Sequence, residues 1–258
     1  LPAARATVAL CARGAPVPSA ADQALHAHVA ITDRALIAAA VAQVIARWGR
    51  IDILVNAAGV GAAGTVLDND EAEWLKVYDI NVMGTVRVLQ AGLPRVSAAQ
   101  PAAVVNVGSA VATTGFPNRA LYTATKGAID ALTRAMAADH LKDGVRFNSV
   151  CPGTTETPWV DRLLSAATDP VHERANLAAR QPHGRLVQPE EVAEAIVYLA
   201  NPLAGSTNGV TLSIDAGISS VSVSRSIPRP AGLTQHFCRP PAAGATPSGV
   251  RGRCFVMS

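Results

Sequence analysis

Tyr122 and Lys126 stand four residues apart in the run Tyr122-Thr-Ala-Thr-Lys126. On a helix that spacing puts both side chains on one face. A free tyrosine ionises at about pH 10, too high for proton transfer near neutrality. An ammonium group about 4–6 Å away stabilises the phenolate and brings the hydroxyl toward the working range of a general acid or base. A surface Tyr and Lys sharing a helix face by chance would show the same spacing, but other residues support the pair. Ser109 lies 13 residues upstream, just past the apolar run 102–107, where its hydroxyl can hydrogen-bond a carbonyl or an alcohol. Asn56-Ala57-Ala58-Gly59 follows the apolar run 51–55, and small residues ending in glycine let backbone approach a ligand closely. Asn81 interrupts the apolar face of a helical stretch, so it must be hydrogen-bonded if buried. Cys151-Pro152-Gly153-Thr154 follows the run 145–150.

The elements that must position these residues alternate. Strand patterns cover 6–11, 51–55, 102–107, 145–150 and 210–214. Helix patterns cover 33–48 (with Thr32 as N-cap and Gly49 after its end), 71–93, 120–141 and 189–200, the last opening on Pro189. Short, fully apolar strands alternating with long helices mean a parallel sheet covered on both faces, a Rossmann-like doubly wound α/β fold. In such sheets ligands bind at the carboxyl ends of the strands, which is where Asn56-Ala57-Ala58-Gly59, Ser109 and Cys151-Pro152-Gly153-Thr154 fall.

Composition narrows the function. The chain has 258 residues, 49% hydrophobic and 16% charged, enough for one large packed domain. No apolar run reaches the ~18 residues of a membrane span, and the first 12 residues lack the pattern of a secretory signal. The formal charge of +3 is uneven, because residues 221–258 carry five arginines and no acid. The other 220 residues are mildly acidic, which argues against a nucleic-acid-binding surface. The four cysteines and six histidines show no metal-ligand spacing, so no metal is expected, and Cys151 reads as a small buried hydrophobe. Cysteine usage fits a reducing, cytoplasmic setting. With five prolines and four glycines, 221–258 reads as a disordered basic tail behind a single domain over 1–220.

In their order and spacing, Asn56-Ala57-Ala58-Gly59, Asn81, Ser109, Tyr122-x-x-x-Lys126 and Pro152-Gly153 resemble the short-chain dehydrogenase/reductase family. The resemblance covers roughly residues 7–217. It implies an oxidoreductase that interconverts a secondary alcohol and a ketone with NAD or NADP. Tyr122 would be the acid/base, Ser109 would hold the substrate oxygen, and Lys126 would tune Tyr122 and bind the nicotinamide ribose. Asn81 would hold a water for proton relay. Asn56, Ala57, Gly59, Pro152, Gly153, Thr154 and Thr157 would flank the cofactor. Arg13, at the end of the first strand, would favour the 2′-phosphate of NADP. The segments around Arg119, Cys151 and Arg180 are similar to a subgroup of hydroxy-acid dehydrogenases, which includes the type 2 3-hydroxybutyrate and sugar-acid enzymes. That similarity implies a small hydroxy or keto acid bound by Arg119 and Arg180. It also implies a homodimer or homotetramer.

One departure stands out. The family opens with a strand and a T-G-x-x-x-G-x-G turn that holds the cofactor pyrophosphate at a helix N-terminus. This sequence has no such motif, so the domain reads as N-terminally truncated, lacking the first β-α unit. The sheet is then expected to lose its central strand and leave two unpaired edges. A rival reading follows: a catalytically impaired remnant that no longer binds cofactor and serves at most as an oligomerising scaffold.

Overall fold

The computed structural model of the chain describes residues 6–14, 24–96, 101–165, 167–221 and 252–257. The seven strands are β1 (Thr7–Ala12), β2 (Leu25–His28), β3 (Ile53–Asn56), β4 (Ala102–Val107), β5 (Val145–Pro152), β6 (Thr211–Ile214) and β7 (Arg253–Met257). They form one sheet in the order β2-β1-β7-β3-β4-β5-β6, and every pair is parallel. The Rossmann-like fold expected from the sequence is therefore present.

The centre of the sheet departs from expectation. β7 pairs with β1 from Thr7↔Arg253 to Cys11↔Met257, and with β3 from Ile53↔Cys254 to Asn56↔Met257. Neither β1 nor β3 is left with an open edge. The central position is filled from late in the chain, so the disorder expected over 221–258 does not extend to 252–257. The rest of that call, from residue 222 to 251, lies outside the described residues. The physical reason for the strand is alternation. Cys254 joins the core on one face of the sheet, and Phe255 and Met257 join the core on the other. All three are fully buried, and Phe255 alone contributes about 1.5–3 kcal/mol by leaving water. Asp52 pins the entry to β7: its Oδ2 accepts from Arg253 N–H at 2.8 Å, and its own N–H donates to Arg253 O at 2.9 Å.

Helices cover both faces. One face packs Ile37, Val41 and Val44 of α1 (Arg34–Trp48) and Val88 and Leu89 of α3 (Gly84–Gly92) against Leu54, Val104 and Phe255. The other packs Ala195 and Leu199 of α7 (Pro189–Ala200) against Val55, Val105 and Val150. The α1 N-cap is Asp33, not Thr32: its Oδ1 accepts from Ala35 N–H and Leu36 N–H at 2.8 and 3.1 Å. Gly49, at φ 79°, ends the helix in the left-handed region. The single helix expected over 71–93 is instead α2 (Glu71–Tyr78), a π-helical turn at Asp79–Met83, and α3. Such turns commonly mark functional positions, and this one contains Asn81. The remaining helices are α4 (Ala120–Asp139), α5 (Pro158–Ser165) and α6 (Pro170–Ala179). None of the helices in the described residues is long and apolar enough to cross a membrane.

Candidate active site

A cleft of about 380 Å³ opens at the carboxyl ends of β3, β4 and β5. Ser109, Tyr122 and Lys126 all line it, so the three residues expected from the sequence to carry the chemistry converge. Lys126 is almost wholly buried, and Val107 O accepts from its Nζ at 2.8 Å. The ammonium lies 5.8 Å from the centre of the Tyr122 ring. Both sit on α4, one turn apart, as the spacing requires. Ser109 follows β4 in extended backbone and caps a short 3-10 turn, its Oγ accepting from Val111 N–H at 3.4 Å.

Asn81 ties the loop after β3 to α4. Its Oδ1 accepts from Val60 N–H at 2.8 Å, while its Nδ2 donates to Val60 O at 2.9 Å and to Thr125 Oγ1 at 3.1 Å. The π-helical turn lets a helical side chain reach both. Gly59 sits inside this junction: a Cβ there would lie 3.3 Å from Asn81 Oδ1 and 3.5 Å from Lys126 Nζ. A side chain would fill the gap between the loop and the lysine.

The other cofactor-side residues fall in two groups. Ala57, Gly59, Pro152, Gly153, Thr154 and Thr157 line the cleft. Asn56 does not: it is buried, and its Nδ2 donates to Asn106 Oδ1 at 2.8 Å, so it braces the sheet beneath the loop. Arg13 lines a second cleft of about 430 Å³, reached across Gly59 and shared with Lys76, Asp79 and Met257. Asp79 is engaged by Arg87.

The arginines separate. Arg180 lines the first cleft. Arg119 is not among the lining residues; its Nη1 donates to Asn118 O at 3.2 Å beside the start of α4. Arg162, on α5, does line the cleft and was missed by sequence reasoning. The apolar periodicity of α5, with Val160 and Leu164 buried, held the only sequence signal for which way that helix faces. Among the described residues no group of His, Cys, Asp and Glu could hold a metal ion.

Residues 4–219 match the family model described as Enoyl-(Acyl carrier protein) reductase. The chain belongs to the short-chain dehydrogenase/reductase family. The chain is 38% identical over 192 residues to 2-(S)-hydroxypropyl-CoM dehydrogenase 3 of Xanthobacter autotrophicus, covering 74% of this chain and 75% of the relative. It is 37% identical over 203 residues to cis-4-hydroxycyclohexanecarboxylate dehydrogenase of Sinomonas cyclohexanicum, covering 78% and 79%. Among solved structures it resembles a gluconate 5-dehydrogenase from Burkholderia cenocepacia, in complex with NADP and tartrate. That match has a TM-score of 0.69 and 32% identity, covering 78% of this chain and 77% of the other. Membership in the short-chain dehydrogenase/reductase family makes this an oxidoreductase that uses a nicotinamide cofactor on small molecules.

The residues present fit the nicotinamide end of that cofactor. Gly59 leaves a gap that a Cβ would close, and Thr154, Thr157, Tyr122 and Lys126 offer hydrogen-bonding groups around it. The pyrophosphate end differs. The family's glycine-rich turn follows the central strand, and here the end of β7 is held by the loop after β3. Met257 O accepts from Ala57 N–H at 2.7 Å and from Ala58 N–H at 3.0 Å, which closes the strand onto the loop.

Proposed function

We propose that this chain interconverts a secondary alcohol and a ketone on a small hydroxy or keto acid, or a sugar-derived acid. One observation carries the reading: Arg162 and Arg180 line the same cleft as Ser109 and Tyr122. Arginine binds a carboxylate through paired hydrogen bonds, which fixes the far end of the substrate while its oxygen meets Tyr122. The names of the relatives agree, since two act on anionic alcohols and the gluconate dehydrogenase holds tartrate.

The nicotinamide, when bound, supplies or accepts the hydride. Ser109 Oγ hydrogen-bonds the substrate oxygen and orients it. Tyr122 gives a proton to that oxygen in reduction and takes it in oxidation. Lys126, anchored on Val107 O, stabilises the phenolate and holds the ribose. The proton passes to solvent by way of Lys126 and a water at Asn81. Arg13 and Lys76 in the second cleft favour NADP over NAD, through the 2′-phosphate. Arg13→Asp then shifts binding from NADPH toward NADH, read as the ratio of the two dissociation constants by calorimetry. The active unit is a homodimer or homotetramer. An apolar groove between α3 and α4, lined by Leu89, Leu93, Leu132 and Met136, supports that assembly, and light scattering tests it.

The deciding experiment screens hydroxy acids with NADP and NAD, and repeats any active pair with Tyr122→Phe. Turnover that the substitution abolishes supports the reading. Absence of both turnover and cofactor binding in the folded chain supports the impaired remnant instead.

A further inference from the structure

Asp130 is a buried acid that the mechanism leaves unused. Asp130 sits one turn beyond Lys126 on α4 and is 4% exposed. Its partner is a thiol: Cys151 Sγ donates to Asp130 Oδ2 and Oδ1 at 3.5 and 3.6 Å. The turn that carries Ser109 rests on the same strand as Cys151, since Gly108 N–H donates to Val150 O at 2.8 Å. The carboxylate and the thiol therefore pack beneath Gly108, the residue next to the one that holds the substrate oxygen. Gly108 confirms how tightly the turn lies on this pair, because a Cβ there would fall 2.5 Å from Cys151 Sγ and 3.0 Å from Asp130 Oδ1. The turn's other end is Val107, whose carbonyl holds Lys126. Burial, reinforced by Asp130, pushes the Cys151 thiol up to about 12, so it keeps its proton and remains the donor. Lys126, one turn earlier on α4, opposes that rise with its charge.

We propose that Asp130 is a positioning residue of the reaction: through the Cys151 thiol it fixes the Ser109 main chain, and its charge offsets that of Lys126. The proposal rests on Tyr122 and Lys126 acting as the acid–base pair. The other titratable groups facing the cleft, Arg162 and Arg180, are unchanged in the variants below.

The test needs no substrate. The sequence has three tyrosines, and Tyr78 and Tyr198 are exposed, so a Tyr78→Phe/Tyr198→Phe background leaves Tyr122 as the sole phenol. Its ionisation is then read from absorbance at the phenolate band during a pH titration of the full chain. Lys126→Met moves the transition to higher pH. Asp130→Asn removes a negative charge beside the ammonium, leaves its field uncompensated, and moves the transition to lower pH by about one unit. If Asp130→Asn does not fold, Asp130→Leu/Cys151→Ala removes both polar partners together and leaves neither orphaned, and the same downward shift is expected. A transition that responds to Lys126→Met but is unmoved, or moved upward, by the Asp130 variants overturns the proposal and spares the acid–base pair. A transition that ignores Lys126→Met overturns the acid–base reading and the proposal with it. With an active substrate, Cys151→Ala lowers kcat at unchanged cofactor KM and Cys151→Ser restores it; unchanged kcat overturns the tether to Ser109.

Discussion

The two halves of the cleft are built in opposite ways. The half around Tyr122 comes mainly from neighbouring units, β4, α4 and β5, within residues 102–154, with Asn81 tying α4 to the loop after β3. The half around Arg13 joins the end of β1 to the end of β7, which are more than two hundred residues apart. The first half needs only a correct local fold. The second exists only if a distant strand enters the sheet. The Tyr122 cleft and the Arg13 cleft therefore depend on different parts of the sequence, and Met257, hydrogen-bonded to Ala57 and Ala58, is where they meet.

The sharpest way to separate the halves is Tyr122→Phe. It removes the proton-transferring group and lowers kcat by about 10²–10⁴-fold, while NADPH binding by calorimetry weakens far less. A matching loss of binding would mean that the halves are not independent. Phe255→Ala attacks the other half. Emptying that buried site costs about 3–5 kcal/mol, read as a large drop in the chemical-denaturation midpoint. Leu67→Ala, at a side chain 91% exposed, serves as the control and leaves the midpoint in place. An equally small effect at Phe255 would show that β7 does not hold the sheet together.

Within the catalytic half, the arginines give the next contrast. Arg180→Met raises the KM for an acidic substrate by about 10–100-fold, as loss of hydrogen bonds to a charged group requires, whereas Arg119→Met leaves it nearly unchanged. Steady-state kinetics on both variants decides which arginine the substrate meets. The smallest effect lies outside both halves. Arg185 hydrogen-bonds Glu191 and, despite opposing burial, lowers the Glu191 carboxyl from 4.5 to about 2. A carboxyl lowered in the folded state adds stability above its unfolded value and loses it as pH falls through the folded one. Both partners are well exposed, so the pair is worth only about 0–1 kcal/mol. Glu191→Gln is thus slightly less stable than the parent at pH 6, and the gap closes between pH 4.5 and about 2 in thermal melts.

The catalytic half was legible in the sequence for the reason that makes it robust. Tyr122, Lys126 and Ser109 are fixed by helix periodicity and by the end of an apolar run, both of which are local signals. β1, β3, β4, β5, β6, α1, α4 and α7 could be read the same way, whereas β2, α5 and α6 were not read. β7 could not. Arg253–Met257 is five residues long, follows a stretch rich in proline and glycine, and has partners that no local pattern reveals. Parallel pairing gives no hairpin to announce it. Asn81 was singled out, but its helix was read as continuous, because a π-helical turn leaves the apolar pattern almost unchanged. Arg119 and Arg162 show the same limit: distance along the chain from Tyr122 favoured one, and the facing of α5 selected the other.

The position of β7 also sets an order of events during synthesis. A ribosome delivers both flanks of the sheet, β1–β2 on one side and β3–β6 on the other, before the strand that joins them emerges. Until then the nascent protein carries two raw edges, β1 and β3, each able to capture a strand from a neighbouring molecule. Closure must then bring together parts of the chain at the greatest separation in the fold, the slowest kind of step. Expression yield and the need for chaperones should therefore track how fast residues 252–257 find their slot, more than how well the catalytic residues pack.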